Sequence, residues 1–242
     1  MVGVNCVSKR SAADIAGIRS GDKVISINGM PFMDMLDLIY AESLERLTIS
    51  IEGKRPIEIT KKAYEPLGLI FNESIELSPR RCNNKCVFCF IDQLPRGLRK
   101  TLYVKDDDYR FSFITGSYVT MTNLKDEDIG RIIMYRLSPL YVSVHAYDKA
   151  IRKTLLGGNP ESDLVWEKIL KLTSNGITLN AQIVMCPGLN DGAHLEETIN
   201  KLYSLYPAVG TVAVVPVGLT CHRDGLFPLK GVNSEEAGKA ID

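Results

Sequence analysis

From Ile75 onward the chain alternates short apolar, β-branched runs with amphipathic segments of helical period, and few architectures satisfy that pattern except a parallel sheet with crossover helices. The strand candidates are SIELSP, YRFSFITG, LYVSVHA, LNAQIVMC and TVAVVPVG. Between them, KDEDIGRIIMYRL follows a cap region at Thr122-Asn123 and places Ile129, Ile132, Ile133 and Leu137 on one face. ESDLVWEKILKLTSNG carries Leu164, Trp166, Ile169, Leu170 and Leu172 and ends on a C-cap signal at Asn175-Gly176, while HLEETINKLYSLYP runs to Pro207. Five β/α units predict an α/β fold, a partial β/α barrel whose working residues belong at the C-terminal strand ends. The last residues, EEAGKAID, read as an interrupted helix, so the chain is expected to be truncated at its C-terminus.

The first seventy or so residues have a different grain. Short β-like runs, VISING and LTISIEG, are separated by Gly, Pro and charged turns, which predicts a small β-rich domain over 1–72 ahead of the α/β domain over 73–242. Gly21-Asp22 and Asn28-Gly29 mark turns, the second being a strong hairpin signal because both residues tolerate positive φ. Leu36, Ile39, Tyr40, Leu44 and Leu47 predict a helix from about Met33 to Leu47.

Three cysteines, Cys82, Cys86 and Cys89, lie in RRCNNKCVFCF just after the first strand candidate. A structural or electron-transfer iron–sulfur cluster is usually held by four thiolates, so a compact triplet leaves one iron open to a non-protein ligand. Zinc normally takes four ligands, and none of His145, His194 and His222 completes such a set. Asn83, Asn84 and Lys85 make the segment a polar loop, unlike the apolar surroundings of Cys6, Cys186 and Cys221, which predict small buried hydrophobes. Arg80, Arg81 and Lys85 either offset the charge of the thiolates or are ordinary surface cations. The run KDDDY from Lys105 to Tyr109 reads as a solvated loop, and the Gly157-Gly158-Asn159-Pro160 turn lacks a phosphate-loop pattern.

With 29 basic and 29 acidic side chains, the chain lacks the bulk charge of a nucleic-acid-binding surface. No apolar run approaches the ~20 residues of a membrane span, and MVGVNCVSKRSAAD does not resemble a signal peptide. Free thiols arranged for metal fit a reducing compartment, so the expected location is cytoplasmic.

The spacing Cys-x3-Cys-x2-Cys, with Phe88 before the last cysteine, resembles the radical S-adenosylmethionine (SAM) superfamily. The resemblance implies a radical SAM barrel, typically of six β/α units, and a 4Fe-4S cluster on Cys82, Cys86 and Cys89 whose fourth iron is chelated by SAM. Reductive cleavage of SAM would then give a 5′-deoxyadenosyl radical, with electrons from a reducing partner such as flavodoxin or ferredoxin. AGIRSGDKVISING resembles a PDZ domain, which implies capture of a peptide by strand addition. Leu67, Gly68 and Leu69, within PLGLIF, are the candidate peptide-binding loop if the domain is permuted; otherwise they are a last core strand and linker. Taken with CNNKCVFCFIDQLPRGLRKTLYVKDDDYRFSF, YVSVHA, QIVMCPGLNDG and VAVVPVGLT, the whole chain resembles bacterial PDZ-plus-radical-SAM iron–sulfur oxidoreductase-like proteins, which carry a further C-terminal domain of unknown function.

That resemblance also implies site residues. Phe88 would pack near the adenine. Gly116 and Ser117 stand where the superfamily has a Gly-Gly-Glu-like segment that meets the methionine amine, although the acidic residue is absent. Ser143 and His145 alternate at the end of the third strand, with His145 as the catalytic candidate for substrate contact or proton transfer. Gln182 would contact the ribose or carboxylate, and Val215 the adenine. Each of these also has a reading as ordinary packing. The expectation is a radical SAM enzyme acting on an unknown substrate; the alternative is a PDZ-containing iron–sulfur redox relay or adaptor that does not cleave SAM.

Overall fold

The computed structural model describes residues 1–71 and 78–241. The chain divides into two compact units, one up to Ser78 and one from Pro79.

The first unit contains β1 (Val2–Val7), α1 (Ala12–Ile15), β2 (Lys23–Ile27), β3 (Met30–Pro31), α2 (Met35–Ser43), β4 (Arg46–Ile51), β5 (Ile57–Thr60) and β6 (Leu69–Phe71). The sheet runs β5-β4-β2-β1-β6 with β3 on β2, and its pairs are antiparallel. Asn28 and Gly29, at φ 51° and 80°, turn β2 into β3. Alternation along β4 buries Leu47, Ile49 and Ile51 against Val4, Ile18 and Val24, each worth about 1.5–3 kcal/mol relative to exposure. Helix α2 is shorter than its periodicity predicts. Asp34 caps it by accepting from Leu36 N–H, Asp37 closes the capping box, and Leu44 is already extended, so that Leu47 belongs to β4. The last strand, β6, pairs with the first, so Leu69–Phe71 completes the sheet edge rather than serving as a linker.

The second unit contains α3 (Tyr109–Thr115), α4 (Asp126–Tyr135), β7 (Leu140–Ser143), α5 (Lys149–Leu155), α6 (Val165–Ser174), β8 (Leu179–Met185), α7 (Ala193–Tyr203), β9 (Val209–Pro216) and α8 (Ser234–Ile241). Strands β7, β8 and β9 are parallel in that order, and Val119 extends the sheet through a parallel bridge to Val142. The architecture is α/β, with an open parallel sheet rather than a closed barrel. Along β8, Leu179, Ala181, Ile183 and Met185 are buried, whereas Asn180, Gln182 and Val184 on the other face are half-buried. Helices α4, α6 and α7 supply Ile132, Ile169 and Leu202 to the core, as their periodicity predicts.

The predicted count of five β/α units does not hold. YRFSFITG is helix α3, because Asp108 accepts from Arg110 N–H and starts a helix that overrides the strand-like Tyr-Phe-Phe alternation. SIELSP falls mainly on residues 72–77, outside the described residues. Pro160–Leu164 form a 3-10 turn ahead of α6 rather than part of it. Among the described residues no helix is long and apolar enough to cross a membrane.

Candidate functional site

The cysteine loop lies across the C-terminal strand ends. Its entrance is fixed by a short antiparallel bridge in which Cys82 N–H donates to Lys105 O at 3.0 Å and Asp107 N–H to Arg80 O at 3.0 Å. Val87 N–H then bonds Leu155 O at the end of α5, and Cys89 N–H bonds Cys86 O, which folds the last two cysteines into a turn. Phe88 and Val87 pack on Ala146, Leu155, Cys186 and Val217, the residues that follow or end β7, α5, β8 and β9.

The three thiols are free and half-buried. Burial pushes Cys82 up, as do Asp107 and Cys89, against a 3.4 Å hydrogen bond from Asn84 N–H to its sulfur. Cys86 is raised further, by burial and then by Cys82 and Cys89. Thiols that repel one another as thiolates form a donor set suited to a soft metal centre, whose positive charge offsets that repulsion. Among the described residues no three His, Cys, Asp or Glu side chains gather tightly enough for a single ion; an iron–sulfur cluster instead spreads its thiolates over separate irons. Beside Cys86 and Cys89 opens a cavity of ≈ 480 Å³, bordered by Lys85, Asp92, Lys105, Gly157 and Phe227. Larger hollows, of ≈ 550 Å³ between α4 and α6 and ≈ 830 Å³ between α7, α8 and the end of β8, are lined by none of the three cysteines.

A model of the radical SAM-like domain matches residues 61–212, well over half the chain. The chain belongs to the radical SAM-like family. A PDZ domain model matches residues 3–42, within the first unit. Among solved structures, a radical SAM methyltransferase from Sphaerobacter thermophilus is similar at 19% identity and a TM-score of 0.34. The match covers 51% of this chain, which spans only 35% of that one. No curated protein matches.

In this radical SAM-like chain, strand register puts Ser143 beside Gln182 and Val184 beside Val215, on the sheet face to which Gln182 and Val184 belong. Phe88 and Val184 both pack against the buried cluster of Ala146, Leu155, Cys186 and Val217. His145 is fully enclosed. Its backbone is left-handed at φ 61°, its Nδ1 accepts from Val184 N–H at 3.2 Å, and Phe88 meets it edge-on at 4.6 Å. Burial, and then the charge of Arg152, holds His145 at about 3, so it is a neutral acceptor near pH 7 rather than the proton carrier its position suggests.

Gly116 and Ser117 are elsewhere. Gly116 is the left-handed C-cap of α3 at φ 74°, packed on the Tyr141 ring, and Ser117 Oγ lies 2.9 Å from Thr115 Oγ1. Both precede Val119, at the end of the sheet opposite the cysteines. The misplacement follows from reading α3 as a strand. The segment that does leave this strand on the cysteine side is Thr120-Met121-Thr122.

Several residues that the sequence did not single out shape the site. Gln93 is fully buried; its Nε2 donates to Phe88, Cys89 and Gly218 carbonyls, and its Oε1 accepts from Thr220 N–H, tying the cysteine turn to the segment after β9. Gly157, at φ 72°, lets the turn after α5 touch the loop, since a Cβ there would lie 2.0 Å from Lys85 O. The KDDDY run is not a solvated loop. Asp107 and Asp108 are buried, the latter bound by Arg110 Nη2 at 2.6 Å and by Arg80 N–H at 3.0 Å. Arg80 is committed to Asp128 at 2.8 Å and stacks over Tyr109, so it does not serve the thiolates, whereas Lys105 contacts both Asp92 and Cys89. Of the remaining cysteines only Cys186 is buried; Cys6 and Cys221 are exposed because they fall on solvent-facing positions of their segments.

In the first unit, Leu67 is buried and its N–H donates to Glu42 Oε1 at 2.9 Å, Gly68 is left-handed at φ 78°, and Leu69 opens the edge strand.

Proposed function

We propose that this chain is a radical SAM enzyme in which Cys82, Cys86 and Cys89 hold a 4Fe-4S cluster and leave one iron for SAM. The observation that carries the proposal is a three-thiol loop at the C-terminal strand ends, opening on a cavity of ≈ 480 Å³. When bound, the cluster would supply the electron that cleaves the sulfonium S–C bond of SAM into methionine and a 5′-deoxyadenosyl radical. The chain's own residues orient and enclose. Gln93 and Gly157 hold the cysteine turn against the sheet. Lys105 sets a positive charge beside Cys89, and Phe88 packs on the apolar cluster of Ala146, Leu155, Cys186 and Val217. Ser143, Gln182 and Val215 lie on the sheet face that a bound SAM would meet. Flavodoxin or ferredoxin would deliver the electron in the cytoplasm, and the outer edge of β6, unpaired among the described residues, would add a peptide strand from a protein partner.

The test is anaerobic. The chain is reconstituted with iron and sulfide, reduced with dithionite and given SAM, and 5′-deoxyadenosine is quantified by liquid chromatography with Cys86→Ala alongside. Formation that disappears in the variant supports the proposal. A reducible cluster that leaves SAM intact would turn the reading toward an electron relay.

A further inference from the structure

Behind the cysteine loop lies a buried polar node for which cysteine spacing gives no reason. Asp107 is almost fully buried, and its carboxylate accepts from Thr120 N–H at 2.6 Å, from Thr120 Oγ1 at 2.6 Å and from Thr122 Oγ1 at 3.4 Å. Both threonine hydroxyls in turn accept from Asn84 Nδ2 at 2.9 Å. Asn84 Oδ1 accepts from Asn159 Nδ2 at 2.6 Å, and Asn84 N–H points at the Cys82 sulfur at 3.4 Å. A continuous chain of hydrogen bonds therefore runs from a carboxylate to the residue that touches a cluster-binding sulfur. The amide, with its two protons spent on hydroxyls, orients those hydroxyls toward Asp107.

If only the loop's shape were at stake, neutral groups would suffice. Burial pushes the Asp107 carboxyl up from the usual carboxylate range, against the hydrogen bonds from Thr120 and Thr122 that favour its ionised form, and once ionised its field reaches far in a medium of low dielectric. Asp107 adds to the upward push that burial gives Cys82 and Cys86, although for Cys86 it ranks behind the neighbouring Cys82 and Cys89. Lys105, which contacts Cys89, is paired with Asp92 at 2.5 Å, and Lys168, the buried cation that interacts with Asp107, gives its ammonium to Met121 O at 2.9 Å.

We infer that Asp107, held by Thr120 and Thr122 and joined to the cysteine loop through Asn84, is a fixed negative charge that lowers the reduction potential of the cluster. The inference rests on the proposed cluster. Asp107 is a positioning residue acting through Asn84 and through its field, not a ligand. Adding one electron to the cluster adds negative charge, which the carboxylate opposes. Its removal favours the reduced form.

The experiment is a potentiometric titration of the reconstituted chain at pH 8, with titanium(III) citrate as reductant and the reduced cluster read by electron paramagnetic resonance. Iron and sulfide are counted beforehand. In D107N, the ratio of reduced to oxidised cluster at a fixed potential is expected to rise by about tenfold, equivalent to about 59 mV for one electron. T122V keeps the charge but loses the hydroxyl's bonds to Asp107, Asn84 and Thr120, so it separates loss of the hydrogen-bond network from loss of the charge: its midpoint is expected to move by less than half the shift in D107N, and an equal shift overturns the assignment to charge. D107S removes the same charge in a smaller side chain and replaces D107N should the latter not fold. A cluster-loaded charge-removing variant with the parent's midpoint, or a lower one, overturns the inference while leaving the proposed function standing. A parent chain that takes up no iron and sulfide overturns both.

Discussion

The N-terminal unit and the cysteine end of the second unit are held together by different means. In the first, Val2, Val4, Val24, Leu47, Ile49 and their neighbours form one continuous aliphatic cluster, and the sheet satisfies its own backbone. Around Phe88, the buried apolar cluster among the described residues is Ala146, Leu155, Cys186 and Val217, and the loop is fixed by buried polar groups: Gln93, Asn84, Asp107 and the imidazole of His145. Aliphatic packing is non-directional and tolerates small changes, whereas each buried polar group depends on a particular partner and leaves an orphan if that partner goes. The first arrangement makes a stable module. The second fixes sulfur positions at the expense of tolerance.

Two glycines probe this difference most strongly, because both are left-handed and tightly packed. Gly157→Ala would drive a methyl into the Lys85 carbonyl, with the largest expected effect: a loss of at least about 3 kcal/mol in stability and of cluster binding, read by urea denaturation and by iron content. Gly68→Ala would push a methyl to 2.4 Å from Ser11 Cβ and should destabilise the first unit by about 1–3 kcal/mol while iron content stays at the parent's level. Equal iron loss in both variants would erase the contrast.

Gln93→Ala should fall between the two glycines, at about 2–4 kcal/mol, since it strips partners from the Phe88, Cys89 and Gly218 carbonyls and from Thr220 N–H together. Loss of iron at a lower urea concentration than global unfolding would sharpen the assignment to the loop.

The pH dependence comes next. His145 has a folded value of about 3 against an ordinary 6.5, so its neutral form stabilises the fold fully above pH 6.5. That contribution falls as pH drops through the window toward 3. At pH 5 it is expected to be smaller by about 2 kcal/mol, measurable as a shift in urea midpoint that disappears in His145→Gln. In the first unit, Glu42→Gln weakens a charge-assisted bond to Leu67 N–H and should change stability by under about 1 kcal/mol in thermal melts.

Much of the second unit was readable from periodicity. Strands β7, β8 and β9 and helices α4, α6 and α7 are long enough for burial alternation to show, and the cysteine triplet is local in sequence. What was not readable depended on non-local partners. Tyr109, Phe111 and Phe113 alternate like a strand, yet a single N-cap at Asp108 makes them helical and carries Gly116 and Ser117 to the wrong end of the sheet. Charged runs are ordinarily solvated, so the burial of Asp107 could not be inferred without Thr120 and Thr122 beside it. Gly157 reads as a plain turn until the Lys85 carbonyl is found against it. In the first unit, the place of PLGLIF was settled only by its pairing with the first strand.

In the proposed function, three thiolates hold a cluster with one iron left for SAM. The most direct measurement is electron paramagnetic resonance of the anaerobically reduced chain with and without SAM. A signal that changes shape on adding SAM, and that is missing from Cys86→Ala, is the predicted result. A reduced cluster whose signal is indifferent to SAM would contradict the account.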